Sequence, residues 1–309
     1  MPKRKIHFIG FLANVDNSIL KIKLKNDFEV KKLTEQEVRP LLRKIEFHYG
    51  VDTGFQMLEF QTDGRPSGSY CITKQSVAEF EGTTQGGVVI KPGELKRFVS
   101  LLRDRIRLLR LFKEGNIVLW HSCFYYMKNT EPSFISIHSE GPIADKTKFK
   151  LENIEIADVQ HFIENTKLPF REKFLQLAFE SFELSYEIHD VNLAFISLMI
   201  SMETLFNRSD RELRYRISRN TAVLLGENHK KSEDIFKDIK NLYDRRSEVV
   251  HGLTNKKTTK NIREEELLRL RNYVRESIKE IERTGKNKSD LLETLNSRGF
   301  GQRTWKQNE

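Results

Sequence analysis

The sequence predicts an α+β protein in which an N-terminal mixed α/β domain is followed by an all-α helical bundle. The chain has 309 residues, a length that allows about two domains of roughly 150 residues each. Strand-like and loop-like segments lie in the first half. From residue 156 to about residue 283 almost everything has helical period, and Pro169 is the one proline there. We therefore place the domains at residues 1–150 and 151–295, followed by a frayed tail at 296–309.

The composition fits a globular chain and excludes several classes of protein. Hydrophobic residues make up 38% and charged residues 31%, and the 21 Phe argue against wholesale disorder. No apolar run approaches the roughly 18 residues that a membrane span needs, so no membrane association is expected. Cys71 and Cys123 are the two cysteines, too few for a disulfide framework or a Cys-rich zinc module. They favour a reducing compartment, which predicts a cytoplasmic protein.

In the first half, short strands alternate with loops and helices. The pattern predicts strands at residues 6–13, 19–24, 117–127 and 133–139. Thr34 and Glu37 form a capping box, while Pro40 predicts that the helix there is short or restarts. Residues 94–112 form an amphipathic helix with its apolar residues on one stripe.

In the second half, five segments have helical period: residues 157–164 with 169–188, 191–207, 211–225, 232–251 and 262–283. Asp190 and Ser232 are the predicted N-caps. Gly226 and Gly252 are the predicted C-terminal stops.

The positive charge of the chain is concentrated in one segment. The net charge is +9, of which residues 1–150 contribute +8 and residues 91–113 alone contribute +6. A basic helix face with Lys96, Arg103, Arg107 and Arg110 is therefore a predicted RNA-binding surface. A solvated face or a surface for an acidic partner protein is the alternative. Arg214, in a second basic run at residues 208–219, either guides RNA or belongs to a solvated face.

Arg246 and His251 are the residues of greatest chemical interest. Ile235, Ile239 and Leu242 define the apolar stripe of their helix, and Arg246 falls within that stripe. A guanidinium there needs an anionic partner, because burying an unpaired charge costs several kcal/mol. His251 follows five residues later, about 140° around a regular helix. The two side chains converge only if the helix distorts or a two-fold partner brings a second copy.

The segment "NLYDRRSEVVHG", with "FISLMISMETLFN" and "RELRYRISRNTAVLLG" upstream, resembles a HEPN domain of the Apea-like group over roughly residues 155–295. The resemblance implies a bundle of about five helices that forms homodimers through its active-site face. Many members are metal-independent endoribonucleases with an Arg-x(4–6)-His motif, which Arg246 and His251 match. They include toxins of toxin–antitoxin pairs and abortive-infection and other antiviral defence proteins.

The implied reaction cleaves RNA through its 2′-hydroxyl, with His251 in proton transfer and Arg246 against the phosphorane. Glu203 and Glu248 are candidates to orient Arg246, and Ser247 stands where many active members carry Asn, Asp or His. His251 could instead cap its helix, and Arg246 could form a structural bridge with Glu203.

No metal-ligand spacing and no phosphate-binding loop is found, so no metal and no cofactor is expected. The leading function is thus an endoribonuclease whose N-terminal domain senses a protein or nucleic-acid trigger. The rivals are a non-catalytic HEPN-type RNA-binding or dimerisation module, and a regulatory subunit that recognises a protein partner.

Overall fold

A computed structural model describes residues 3–49, 59–60, 66–79, 92–128, 131–139, 143, 147–207, 212–251 and 262–302. The chain divides into an N-terminal unit, Met1–Thr166, and a C-terminal unit, Lys167–Glu309. Within the described residues every strand lies in the N-terminal unit, and the C-terminal unit is helical. The predicted α+β class is confirmed.

The N-terminal unit is built on an antiparallel sheet. Its strands are β1 (Lys3–Ala13), β2 (Glu29–Leu33), β3 (Glu59–Phe60), β4 (Pro66–Glu79), β5 (Val118–Lys128) and β6 (Glu131–Ser139). Their order is β2-β4-β1-β5-β6, and β3 pairs with β4. β1 is therefore central, with His7 opposite both Gln75 of β4 and Tyr125 of β5.

Two helices cover this sheet, α1 (Glu35–Tyr49) and α2 (Pro92–Phe112). Alternate residues of a strand point to opposite faces. On one face, Ile9 and Phe11 pack with Val38 of α1 and with both cysteines. On the other face, the ring of Phe8 lies 5.2 Å from that of Phe98 of α2. The N-terminal unit thus has an apolar layer on each side of its sheet.

The N-terminal predictions hold for β1, β5, β6 and α2, but they fail at residues 19–24 and at Pro40, and β2, β3 and β4 were not among the predicted strands. The capping box is confirmed, since the Thr34 amide donates to Glu37 Oε2 at 2.8 Å. Residues 17–21 form a 3₁₀ helix rather than a strand, because Asp16 accepts a hydrogen bond from the Ser18 amide and turns the chain. α1 continues through Pro40, because Val38 and Leu42 are buried on either side of it.

The next helix, α3 (Ile156–Asn165), belongs to the N-terminal unit and not to the predicted bundle. The ring of Phe162 lies 5.7 Å from that of Phe112 in α2. The Arg105 guanidinium of α2 donates to the Ile163 carbonyl. These contacts explain why the units divide after Thr166, later than the predicted boundary at residue 150.

The described part of the C-terminal unit contains six helices: α4 (Lys173–Glu187), α5 (Val191–Phe206), α6 (Leu213–Leu225), α7 (His229–His251), α8 (Glu264–Thr284) and α9 (Lys288–Asn296). α4 and α5 pack closely, since the Ser197 hydroxyl donates to the Ser181 carbonyl at 2.7 Å and that of Ser201 donates to the Ala178 carbonyl at 2.8 Å. α9 was not predicted. It places Leu291 and Leu295 in the core.

Asp190 is confirmed as an N-cap, because its carboxylate accepts from the Leu193 amide at 2.9 Å, and Gly226 is the C-cap of α6. Ser232 is not an N-cap. α7 begins at His229, and Asn228 Oδ1 accepts from the Lys231 amide at 2.9 Å. Gly252 lies outside the described residues.

The tail was predicted to be frayed, but its first residues pack on α7. The Gly301 amide donates to the fully buried Ser232 hydroxyl at 3.1 Å. The Phe300 ring lies 5.8 Å from that of Phe236. Residues 303–309 lie outside the described part. Among the described helices, none combines the length and the apolar character needed to cross a membrane.

Candidate functional site

α7 places Arg246 at the edge of the helical core. Ile239 and Leu242 are fully buried, as the apolar stripe predicts, and Arg246 lies one turn beyond Leu242. Its side chain is 25% exposed. The guanidinium is therefore partly desolvated and still accessible from the surface.

The anionic partner that Arg246 requires is Glu203 of α5. Arg246 Nη2 lies 3.2 Å from Glu203 Oε1, and the Glu203 side chain is 22% exposed. The Tyr243 hydroxyl donates to the same oxygen at 3.4 Å. The guanidinium carbon lies 5.6 Å from the centre of the Tyr243 ring. A carboxylate and an aromatic ring together fix the orientation of Arg246.

Tyr243 is 8% exposed, and the contact of its hydroxyl with Glu203 was not predicted from the sequence. The spacing of three residues between Tyr243 and Arg246 on one helix is the signal that could have found it. Burial, followed by the nearby charge of Glu203, raises the pKa of Tyr243. The phenol therefore stays protonated near neutral pH and can act as a donor.

One nitrogen of Arg246 is left without an acceptor. Among the described residues, no group accepts a hydrogen bond from its buried Nε. An unsatisfied buried donor costs about 1–3 kcal/mol, more when it is charged. The side chain as a whole is nevertheless 25% exposed, and phosphate oxygens match the geometry of a guanidinium.

Glu248 does not orient Arg246. Its carboxylate pairs with Arg245, whose Nε also lies 3.2 Å from the nearly buried Glu266 of α8. This network joins α7 to α8 and gives Glu248 a structural contact. Ser247 follows Arg246 on α7 and is half-buried.

His251 is the last residue of α7, and its side chain lies outside the described part. The helix continues without a break from Arg246 to His251, so the distortion that would bring them together in one copy is absent from the backbone. On a regular helix these positions are about 140° apart around the axis and about 7.5 Å apart along it.

The predicted RNA-binding residues of α2 have different environments. Arg103 is exposed, and its Nη2 lies 2.9 Å from His138 Nε2. Arg107 is 27% exposed and lies 3.8 Å from Asp104. Arg110 is buried, and its Nε donates to the Ile117 carbonyl at 2.9 Å. The Lys96 side chain lies outside the described residues. Arg110 therefore does not belong to the exposed basic face on which the sequence placed it.

In the second basic run, Arg214 is 44% exposed and pairs with Asp244 of α7. Arg219 is committed to the fold, since it donates to the Leu295 carbonyl at 3.0 Å and to the Arg298 carbonyl at 2.7 Å. Arg208 and Arg211 lie outside the described residues.

In the part of the chain that the structure describes, no three His, Cys, Asp or Glu side chains are grouped so that they could hold a metal ion. Comparison with known proteins identifies no relative: no family model, no curated protein and no solved structure matches the chain.

Proposed function

We propose that the protein is a metal-independent endoribonuclease that uses Arg246 and His251. The observation that supports this most directly is the state of Arg246. Its side chain is 25% exposed and is oriented by Glu203, so the guanidinium is accessible to an anion from solvent. An arginine held in this way is suited to a phosphate group.

The reaction follows from the chemistry of these groups. The 2′-hydroxyl of RNA attacks the adjacent phosphate, Arg246 stabilises the phosphorane, and His251 transfers a proton. The ordinary pKa of histidine, near 6.5, suits that role near neutral pH. The products are a 2′,3′-cyclic phosphate and a 5′-hydroxyl. DNA is not a substrate because it lacks the nucleophile.

A second copy of the chain would complete the site. One histidine does not readily serve as both acid and base, and α7 keeps Arg246 and His251 on different sides within one copy. An apolar surface adjoins Glu203 on α4 and α5. It consists of four large aliphatic side chains with exposures of 46–56%: Leu177, Leu184, Leu193 and Ile200. Exposed aliphatic residues that recur every seven positions on adjacent helices are typical of a helix-packing surface.

In this proposal the exposed Arg103 and the partly exposed Arg107 of the N-terminal unit recruit RNA, and the unit senses the trigger. A role in antiphage defence or a toxin-like stress response rests on the HEPN resemblance alone.

A non-catalytic RNA-binding or dimerisation module is the second candidate. The observation that favours it is the Arg246–Glu203 pair itself, because Arg246 already has a carboxylate partner within its own chain. A structural bridge needs no substrate. Cleavage assays separate the two candidates.

The test compares His251→Ala and Arg246→Ala with the wild type on total RNA in EDTA, followed by mapping of the ends. Two matched controls come from the same bundle. His229→Ala replaces the 71%-exposed histidine at the other end of α7, and Arg269→Ala replaces an arginine that is 52% exposed and lies 3.6 Å from Asp238.

We expect each site variant to lower cleavage at least a hundredfold and the controls to retain it. Cleavage by His251→Ala at the wild-type rate, or loss of cleavage in EDTA, would exclude this mechanism. RNA binding without cleavage by the wild type would favour the non-catalytic module. Ile200→Glu, which charges the apolar surface, should yield monomers and abolish cleavage, whereas Leu20→Glu, at an exposed leucine of the N-terminal unit, should do neither.

A further inference from the structure

We propose that a cleft in the same helical unit as Arg246 binds a single nucleobase of the RNA and so selects the cleavage site. This inference rests on the proposed function for the identity of the polymer. The cleft has its own binding chemistry, which can be measured without cleavage.

The cleft lies within the C-terminal unit, between α5, α6 and α9. Its volume is about 550 Å³, and Phe206, Tyr215, Arg216 and Asn296 are among the residues that line it. Small-molecule sites typically have volumes of about 300–1,000 Å³. A planar base fits this volume, whereas a folded RNA helix does not.

Asn220 is a buried polar side chain that lines the cleft. It is 3% exposed, and its two hydrogen bonds are both long. Its Nδ2 lies 3.5 Å from the Phe206 carbonyl, and its Oδ1 lies 3.5 Å from Arg219 Nη1. Good hydrogen bonds of this kind measure about 2.7–3.2 Å. The amide therefore retains donor and acceptor capacity, and a base edge presents a donor and an acceptor side by side.

Tyr215 supplies an aromatic surface at the mouth of the cleft. It is 54% exposed. Its ring meets Phe236 edge to face, with centroids 5.9 Å apart and an interplanar angle of 75°. Phe236 is itself packed against Phe300. The Tyr215 ring is thus held in place while its surface stays accessible, which is the arrangement that base stacking requires.

The charges around the cleft are mixed. Glu212 and Arg216 both line it, so a carboxylate and a guanidinium offset each other. The Arg219 guanidinium donates to the carbonyls of Leu295 and Arg298. The cleft therefore suits the neutral base of a nucleotide.

The cleft adjoins the candidate catalytic residues along the chain. Phe206 lies three residues, or one helical turn, after Glu203, the partner of Arg246. Arg214, next to Tyr215, pairs with Asp244, which precedes Arg246 by two residues. The cleft and the Arg246–Glu203 pair therefore share α5, and an RNA strand that contacts both would place a base in the cleft and a phosphate at Arg246.

The test is binding of the four ribonucleoside 5′-monophosphates to the full-length protein by calorimetry. These probes contain no internucleotide phosphate and are not cleaved. We expect at least one to bind. Because a base–aromatic stack contributes about 1–3 kcal/mol, Tyr215→Ala should weaken it at least about fivefold, while Tyr215→Phe retains the ring and the affinity. Asn220→Leu, which keeps the branched shape and removes both polar atoms, should reduce the difference in affinity between bases. Melting temperatures identify any variant that has lost its fold.

The outcomes separate this inference from the proposed function. Absence of binding by all four nucleotides, or equal binding by the wild type and a folded Tyr215→Ala, overturns the cleft assignment even if Arg246-dependent cleavage is found. Nucleotide binding that depends on Tyr215, in a protein that cleaves no RNA, supports the cleft and overturns the nuclease. When the protein both binds nucleotides through Tyr215 and cleaves RNA, Asn220→Leu should also broaden the sequence preference at the cleavage sites.

Discussion

Replacing Arg110 by Leu should destabilise the N-terminal unit without weakening RNA binding. Arg110 is 8% exposed, and its Nε donates at 2.9 Å to the carbonyl of Ile117, which is fully buried. Leucine leaves that carbonyl without this donor. A hydrogen bond from a charged group contributes about 1.5–3 kcal/mol, so we expect the free energy of unfolding to fall by about 2 kcal/mol. For a unit of this size the melting temperature should fall by about 4–8 °C.

The matched control is Arg103→Leu, about two turns earlier on the same helix. Arg103 is exposed, so its replacement should change the free energy of unfolding by no more than about 0.5 kcal/mol. Urea unfolding followed by the fluorescence of Trp120 reports on the N-terminal unit, provided that Trp305, the other tryptophan, is replaced by Phe. RNA affinity is measured across a salt series. If α2 contacts phosphate, Arg103→Leu should reduce the slope of log K against log salt by about 0.7–0.9.

The opposite pattern would refute this reasoning. An Arg110→Leu protein that unfolds at the wild-type urea midpoint but loses salt dependence would place Arg110 at the RNA surface. Unchanged salt slopes in both variants would make the exposed face of α2 a solvated face, while the stability result for Arg110 would still stand.

Three further predictions concern other residues. Burial, with a smaller effect of His138, lowers the pKa of His121 to about 4. Because histidine in the unfolded chain binds a proton below about pH 6.5, the free energy of unfolding should fall as the pH drops from 6.5 towards 4. In His121→Gln the urea midpoint of unfolding should depend less on pH over that range. Burial raises the pKa of the Cys71 and Cys123 thiols. Neither thiol should therefore react with iodoacetamide until urea unfolds the unit, and rapid labelling of the native protein would contradict their burial. Glu203→Gln should lower single-turnover cleavage at least tenfold with little change in melting temperature, and full activity would show that Glu203 does not position Arg246.

The strand pairing also keeps the two cysteines too far apart to form a disulfide. Cys71 lies opposite Phe11, and Cys123 lies opposite Ile9, on the two strands that flank β1. Two strand spacings separate those strands by about 9.5 Å, beyond the roughly 7 Å that a disulfide can span. The cysteine count alone suggested free thiols, and the sheet order provides the geometric reason.

The sequence by itself determined features that depend on near neighbours. Asp190 caps α5, Thr34 and Glu37 form a capping box, and Gly226 ends α6, because each involves residues within about four positions along the chain. The helical period likewise identified the α7 stripe and the position of Arg246 within it. These interactions form whenever the local backbone turns, whatever the rest of the chain does.

Only the tertiary structure decided which charges are buried and what they contact. Arg271 and Arg275 of α8 are almost completely buried, with the Arg271 guanidinium 4.1 Å from the Tyr186 ring centre and 2.9 Å from the Ser185 carbonyl. A basic residue in a helical pattern normally indicates a solvated face, and the same expectation misplaced Arg110. The environment of a charged side chain depends on acceptors from segments that are distant in the sequence. Packing brings those segments together, so the local sequence pattern does not predict that environment.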